Sequence, residues 1–453
     1  MGSSTSFVIS GGRILDSSRN VDTVADVAVH QGRIAGIVGL DAVEIDPSWP
    51  VYNVTGRLVC AGLVDLHAHI GEPGGEQKET IATGTRAAAR GGFTTVCCLA
   101  DTTPTIDNRG AVAHVQSLAR ESGVIRVLPY GAVTRGRHGK ELADLGDMAE
   151  AGVVAFSDDS AVISSSRLMR YALEYCRSLQ KPVVAHCAER DLADGGVMNE
   201  GFVASRLGLR GIPSAGEVAA IARDIGLCDL TNGRLHVCHV STAGGVELIR
   251  QAQARGIRVS ADVSPHHLAL TEDWVAGVRW NGRALPFDTN ARVTPPLRHE
   301  DDRQALIAGL CDGTIAAIAT DHTPQTSVEK FTDFDSAEPG VIGLETAVGV
   351  IFRLVDKGEI PLGLAIDRLT LGPSSTFDLP HGTLSVGAPA DITIIDPSRQ
   401  WVVDTNDFAS LSQNSPFISQ TMYGRVIATF AEGHVVHVDP FDEESLGLRR
   451  ESA

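Results

Sequence analysis

Lysine is scarce in this chain. Only five occur among 453 residues, at positions 78, 140, 181, 330 and 357, so the other 33 of the 38 Lys and Arg residues are arginine. Few lysines are therefore available for chemistry. Basic residues are also outnumbered, 38 against 56 acidic ones, for a formal charge of −18. No local basic stripe offsets that charge, which argues against nucleic acid as a partner. Long apolar runs are missing too. Gly, Asp or Ser breaks each one before about 18 residues, the length a membrane-spanning helix needs, so no membrane partner is expected. The opening Met1-Gly2-Ser3-Ser4-Thr5-Ser6 lacks a basic stretch followed by an apolar one, the pattern of a secretory signal. The eight cysteines (60, 97, 98, 176, 187, 228, 238 and 311) show no paired spacing. They read as reduced thiols of a cytoplasmic protein.

What is present is enough apolar material for a large core: 43% hydrophobic against 21% charged residues excludes global disorder. The first 55 or so residues read as short strands, at 7–10, 13–16, 27–30 and 33–38, with Gln31-Gly32 as a hairpin signal. The C-terminal part has the same texture at 390–396, 401–403, 424–430 and 434–438. Together, 1–56 and 376–440 are expected to form one small β-sandwich-like domain built from both termini. The middle, 57–375, alternates strands at 63–70, 94–99, 126–130, 153–157, 182–186, 235–239, 258–263 and 316–320 with helical stretches such as 81–90, 166–179, 215–225 and 242–254. Eight strands alternating with helices predict an α/β fold, a (β/α)8 TIM-type barrel. A doubly wound sheet competes, but no G-x-G-x-x-G opens a helix after a strand. Residues 441–453 read as a loose charged tail.

Barrel enzymes place their chemistry at the carboxyl ends of the strands. The first strand ends Asp65-Leu66-His67-Ala68-His69. Strict alternation predicts Asp65, His67 and His69 on one face, with Val64, Leu66 and Ala68 facing the helices. Two imidazoles at i and i+2 form a chelating pair. The fourth expected strand ends Ser157-Asp158-Asp159, the fifth in His186, the sixth in His239 and the eighth in Asp321-His322. Imidazole and carboxylate converging from separate strand ends suit zinc, with manganese or iron(II) as alternatives. Five or six such groups exceed one tetrahedral ion, so a pair is plausible, able to hold a bridging hydroxide and polarise a carbonyl. Asp321 is placed to take the proton from the attacking oxygen and pass it to the leaving nitrogen. His266-His267, after strand seven, read as a structural pair, and 325–340 as a polar loop beside Asp321.

These residues carry a family likeness. Asp65-Leu66-His67-Ala68-His69, Glu72-Pro73-Gly74, Lys78-Glu79-Thr80-Ile81, Phe156-Ser157-Asp158-Asp159, Met198-Asn199-Glu200-Gly201, His236-Val237-Cys238-His239, Pro265-His266-His267-Leu268, Pro295-Pro296-Leu297-Arg298 and Ala319-Thr320-Asp321-His322 stand in order along nearly the whole chain. The sequence resembles type I dihydroorotases of the amidohydrolase superfamily. The resemblance implies a barrel with a composite β domain, and His67 and His69 on one metal with His186 and His239 on the other. Asp321 would ligate the first metal. One or two zinc ions per chain, a small cyclic amide substrate and a homodimer or higher homo-oligomer are implied as well. Many relatives bridge their metals with a carboxylated lysine on strand four, but no lysine falls there in this chain. Type I members use an aspartate, which points to Asp159, with Asp158 second.

The substrate-facing motifs depart from that pattern at four places. The family's usual arginine after H-x-H is Gly71 here. The asparagine of its N-T-x-P loop is Asp101, that of N-P-P-L-R is Thr294, and the last histidine of D-H-A-P-H is Gln325. Arginine to glycine removes a bidentate carboxylate clamp. Asparagine to aspartate adds a like charge, disfavouring an anion by about 1–4 kcal/mol. The expected substrate is a neutral or cationic cyclic amide or ureide, its ring C–N bond hydrolysed or closed. The alternatives are a genuine dihydroorotase of pyrimidine biosynthesis and a non-catalytic partner of aspartate transcarbamoylase. A deaminase of the same superfamily ranks lower, since its usual mononuclear site needs no acidic bridge.

Overall fold

The structure is a computed structural model describing residues 6–447. The two ends of the chain meet in one sheet. Strands Phe7–Asp16, Val21–His30, Arg33–Ile37, Val51–Asn53 and Leu58–Ala61 from the N-terminal part join Ile392–Val402, Thr421–Ala431 and His434–Val438 from the C-terminal part. The seam is the antiparallel pairing of Leu58–Ala61 with Ile392–Val402, placing Leu58–Ala61 in this sheet although it lies within the expected barrel range. Two hairpins fold by the same local rule. Gln31-Gly32 (φ 51° and 73°) and Glu432-Gly433 (φ 50° and 82°) are both left-handed pairs, which matches the twist of the strands they join. Phe7, Ile9, Ile14, Val27, Ile394 and Phe430 fill the core of this unit.

The barrel closes around eight parallel positions. Leu63–Ala68, Phe93–Cys98 and Arg126–Pro129 form one run, and Val183–Ala185, Leu235–Val237, Val259–Val263 and Ala317–Ile318 another. The fourth position is reduced to bridges of Phe156 to Gly131 on one side and to Val183 on the other. Closure is made by the Ala68–His322 bridge, where His69 N donates to His322 O at 2.8 Å. The β domain grips the amino ends of these strands. Thr393 Oγ1 donates to Gly92 O (2.6 Å), and Arg126 reaches Asp391 (3.0 Å) and Glu432 (2.6 Å). The carboxyl ends are thereby left for the site.

One expectation about the first strand fails. Val64 and Leu66 pack with Leu99, Tyr130, Val184, Ala317 and Ala319, contributed from around the barrel, so they fill its interior. Ala68 packs in the other layer, against the helices. The pairing with Phe93–Cys98 shifts register twice, between Leu63 and Val64 and again between Asp65 and Ala68. A bulge adds a residue and re-aims the side chains beyond it, a device common beside active sites. Asp65 therefore does not share a face with the two histidines. Its buried carboxylate instead accepts from Thr320 N (2.7 Å) and Thr320 Oγ1 (2.5 Å), stapling the first strand to the eighth.

The segment read as a loose tail begins docked. Leu446 is buried in the β-domain core, and Asp442 accepts from Arg399 at 2.6 Å; 448–453 lie outside the described residues. Among the described residues, no helix is long and apolar enough to cross a membrane.

Candidate active site

The strand ends deliver His67, His69, Asp159, His186, His239 and Asp321 to one place. Two overlapping sets of ligand atoms lie within 4.8 Å of one another: His67, His69 and Asp321, and His67, Asp159, Cys238 and His239. His67 Nε2 is 3.4 Å from Asp159 and 3.6 Å from Asp321. His69 Nε2 is 3.8 Å from the other Asp159 oxygen, and His239 Nε2 is 4.0 Å from Asp159. His186 Nδ1 completes the group 3.1 Å from His239 Nε2. Asp159 thus lies between both histidine pairs.

The backbone is bent to make this fit. Asp159, His239 and Asp321 hold φ of 46°, 38° and 52°. Left-handed conformations are uncommon for residues with a side chain, and they gather at functional sites where surrounding contacts enforce them. Those contacts are visible. Asp262 accepts from His239 N at 2.6 Å and from His236 Nε2 at 2.8 Å. Asp158 turns away from the cluster and accepts from Val133 N (2.8 Å), Thr134 N (3.0 Å) and the Thr134 hydroxyl, so it anchors the loop that carries Asp159. Arg137 Nε ties to the same loop through Asp158 O at 3.0 Å.

The site asks for positive charge. Burial alone would lower the His67 pKa, but Asp159 and Asp321 override it and lift it to about 10. Burial would raise Asp159, yet His239 and His67 hold it well below the usual carboxylate range. Burial pushes Asp321 up, with His239 and His67 only partly offsetting. Both ring nitrogens of His67, and Nδ1 of His239, are buried with no hydrogen-bond partner. Buried polar atoms are normally satisfied. The orphaned His67 Nε2, facing Asp159 and Asp321, fits a divalent cation by donor type and by charge.

The four altered positions separate. Asp101 touches the cluster directly: its Oδ2 lies 2.6 Å from His69 Nδ1. Thr294 lines a small cavity of about 40 Å3 with His186, Pro295 and Arg298. Gly71 offers no side chain, and its backbone leaves no room for one. With φ at +74°, a Cβ there would sit 2.7 Å from Glu79 O and 2.9 Å from Gly75 O. Gln325 is drawn into other work: it accepts from Lys78 Nζ (2.7 Å) and donates to Pro339 O (2.8 Å). The loop it begins is firmly pinned. Lys330 Nζ donates to Thr289 O (3.0 Å) and Glu338 O (2.7 Å), and Lys78 also pairs with Glu329 at 2.9 Å. Two of the five lysines therefore hold this loop.

Residues 56–244 match the family model described as dihydro-orotase-like. The dihydroorotase of Syntrophotalea carbinolica is 47% identical over 95% of this chain and 98% of its own length. That of Pelotomaculum thermopropionicum is 45% identical over the same shares. The chain belongs to the dihydroorotase-like family. Among solved structures, an L-hydantoinase (dihydropyrimidinase) from Arthrobacter aurescens superposes with a TM-score of 0.83 at 25% identity, covering 95% of each chain. A dihydropyrimidinase from Brevibacillus agri gives 0.81 at 23%, covering 95% of this chain and 94% of that one. Membership makes this dihydroorotase-like protein a hydrolase of C–N bonds in cyclic amides, on the barrel with a β-rich domain expected from its sequence.

Sequence reasoning missed three members of the site. Cys238 joins the ligand set, with Sγ 3.3 Å from His239 Nε2. His266 was grouped with His267 as structural, but the two differ. His267 satisfies both nitrogens, through Ser264 Oγ (2.7 Å) and Pro295 O (3.0 Å). His266 Nε2 is buried and unpartnered, 3.5 Å from Asp321 Oδ2. Its place at the carboxyl end of strand seven was the available signal. Asp262, within that strand, gave none.

Proposed function

We propose that this dihydroorotase-like protein is a zinc-dependent cyclic amidohydrolase acting on a neutral or cationic ring amide or ureide. His67, His69, His186 and His239 would hold one or two ions, with Asp159 shared between them. A bound zinc ion supplies a water of lowered pKa and polarises the carbonyl under attack. The chain's own contribution is proton handling. Asp321, buried and lifted in pKa, is suited to take a proton from the attacking water and return it to the ring nitrogen as the C–N bond breaks. His266 Nε2 lies 3.5 Å from Asp321 Oδ2, and no hydrogen bond joins the two.

The observation carrying the substrate class is that the cations around the cluster are already committed. A side chain at position 71 would press on the backbone carbonyls of Glu79 and Gly75. Lys78 serves Gln325 and Glu329. Arg298 donates to Ser241 Oγ (3.1 Å), Asn199 Oδ1 (2.9 Å) and Ile212 O (2.9 Å) and lies 3.7 Å from Glu217. A substrate carboxylate would meet the Asp101 charge in place of a neutral asparagine, and Arg137, the guanidinium that acts on Asp101, is already tied to Asp158 O at 3.0 Å. The second reading, a genuine dihydroorotase, is favoured by the names and identities of the curated relatives. One assay decides between them: purified, zinc-loaded protein given dihydroorotate, carbamoyl aspartate, and uncharged or amino-bearing hydantoins and dihydropyrimidines. Turnover confined to the uncharged or amino-bearing rings is expected. Efficient conversion of dihydroorotate would overturn the proposed substrate class. Absence of bound metal would instead favour a non-catalytic partner role.

A further inference from the structure

Asp101 does something that the family pattern, with asparagine at this position, does not explain. It lies three residues beyond the strand Phe93–Cys98, at the carboxyl end of the barrel. Its Oδ2 is 2.6 Å from His69 Nδ1, while His69 Nε2 is turned toward Asp159 at 3.8 Å. The geometry assigns Asp101 the role of a positioning residue for His69, one that sets the tautomer and the aim of a metal ligand. This inference rests on the metal-dependent reading proposed above.

A carboxylate only accepts, so the proton between the two groups belongs to His69 Nδ1. The lone pair is then on Nε2, the nitrogen facing the ligand cluster. An asparagine could present either its oxygen or its amide, and so could not enforce that tautomer. It would also lack the negative charge that makes the imidazole a better donor. The substitution that adds a charge at the substrate end of the pocket thus acts on the ion-binding end. Removing such an orienting partner typically costs about 10–100-fold in metal affinity.

The test is zinc binding by competition with a chromophoric chelator, on apo protein reloaded stepwise. Wild type, Asp101→Asn, Asp101→Ala and Asp101→Glu are compared, with apo thermal melting recorded for each. The expected result is a loss of about 10–100-fold in the affinity of one ion for the Asn and Ala variants. Glu should regain part of it, and the Asn variant, nearly isosteric, should melt as wild type does. If Asp101→Asn binds zinc as tightly as wild type at every site, the positioning role is wrong although the metal-dependent reading stands. If wild type itself takes up no ion, that reading fails, and this one with it.

Discussion

Replacing Gly71 offers the sharpest check on the claim that its loop, and not merely its specificity, excludes an arginine. Gly71 holds φ +74°, and a Cβ would stand 2.7 Å from Glu79 O and 2.9 Å from Gly75 O. Both are backbone atoms, which cannot swing aside as a side-chain tip can. Gly75 N also donates to Gly71 O at 2.7 Å, locking the turn. The left-handed conformation costs a non-glycine residue about 1–2 kcal/mol. Moving two carbonyls aside adds strain, for about 2–4 kcal/mol in all, in the range of other backbone-incompatible substitutions. The control is Gly139, which has φ +66° and open space where its Cβ would be. Gly139→Ala should show the φ cost alone, about 1–2 kcal/mol. Because the penalty arises at Cβ, Gly71→Ala and Gly71→Arg should destabilise alike. Equilibrium denaturant melts of the four proteins, fitted with a common m-value, read the differences. A Gly71→Ala variant no less stable than Gly139→Ala would refute the steric argument. A Gly71→Arg variant as stable as wild type would refute the whole account, and the missing arginine would then be a matter of specificity alone.

Two further outcomes follow from the site and its loop. Asp159→Asn should abolish binding of at least one zinc equivalent, measured by elemental analysis after dialysis. Asp158→Asn should keep the metal but loosen the 158–161 loop, seen as faster amide exchange there; loss of metal from the second variant and not the first would reverse the two roles. Lys330 should give the protein a stability that rises with pH. Burial lowers its pKa from 10.5 to about 7, so between those values the unfolded chain binds a proton that the folded chain does not. Stability then increases across roughly pH 7 to 10. Lys330→Met, which also loses donors to Thr289 O and Glu338 O, should flatten that slope in denaturant melts. A slope unchanged by the substitution would assign it elsewhere.

Much of the site was legible because its chemistry sits where the fold's geometry repeats. Residues at the carboxyl ends of parallel strands must converge once the barrel closes, so His67, His69, His186, His239 and Asp321 could be picked from strand order and residue type. The choice of Asp159 over Asp158 rested on family position, and the reason emerges only in three dimensions. Asp158 is taken up by Val133 and Thr134, leaving Asp159 to turn inward at φ 46°. The difference between His266 and His267 was equally hidden, since it depends on whether Ser264 and Pro295 or Asp321 come within reach.

By itself, the sequence determined the fold class and which histidines and aspartates stand at the strand ends, but not the parts played by Cys238 and His266. The fold class and the strand-end residues follow from periodicity and composition, which are local. Only the tertiary structure decided where the alternation of the first strand breaks, that Asp101 faces His69, and that Gly71 has no space for a side chain. Each depends on the register between strands or on the approach of a distant backbone segment. Such distances are set by closure of the barrel around its packed interior, and no run of consecutive residues encodes them.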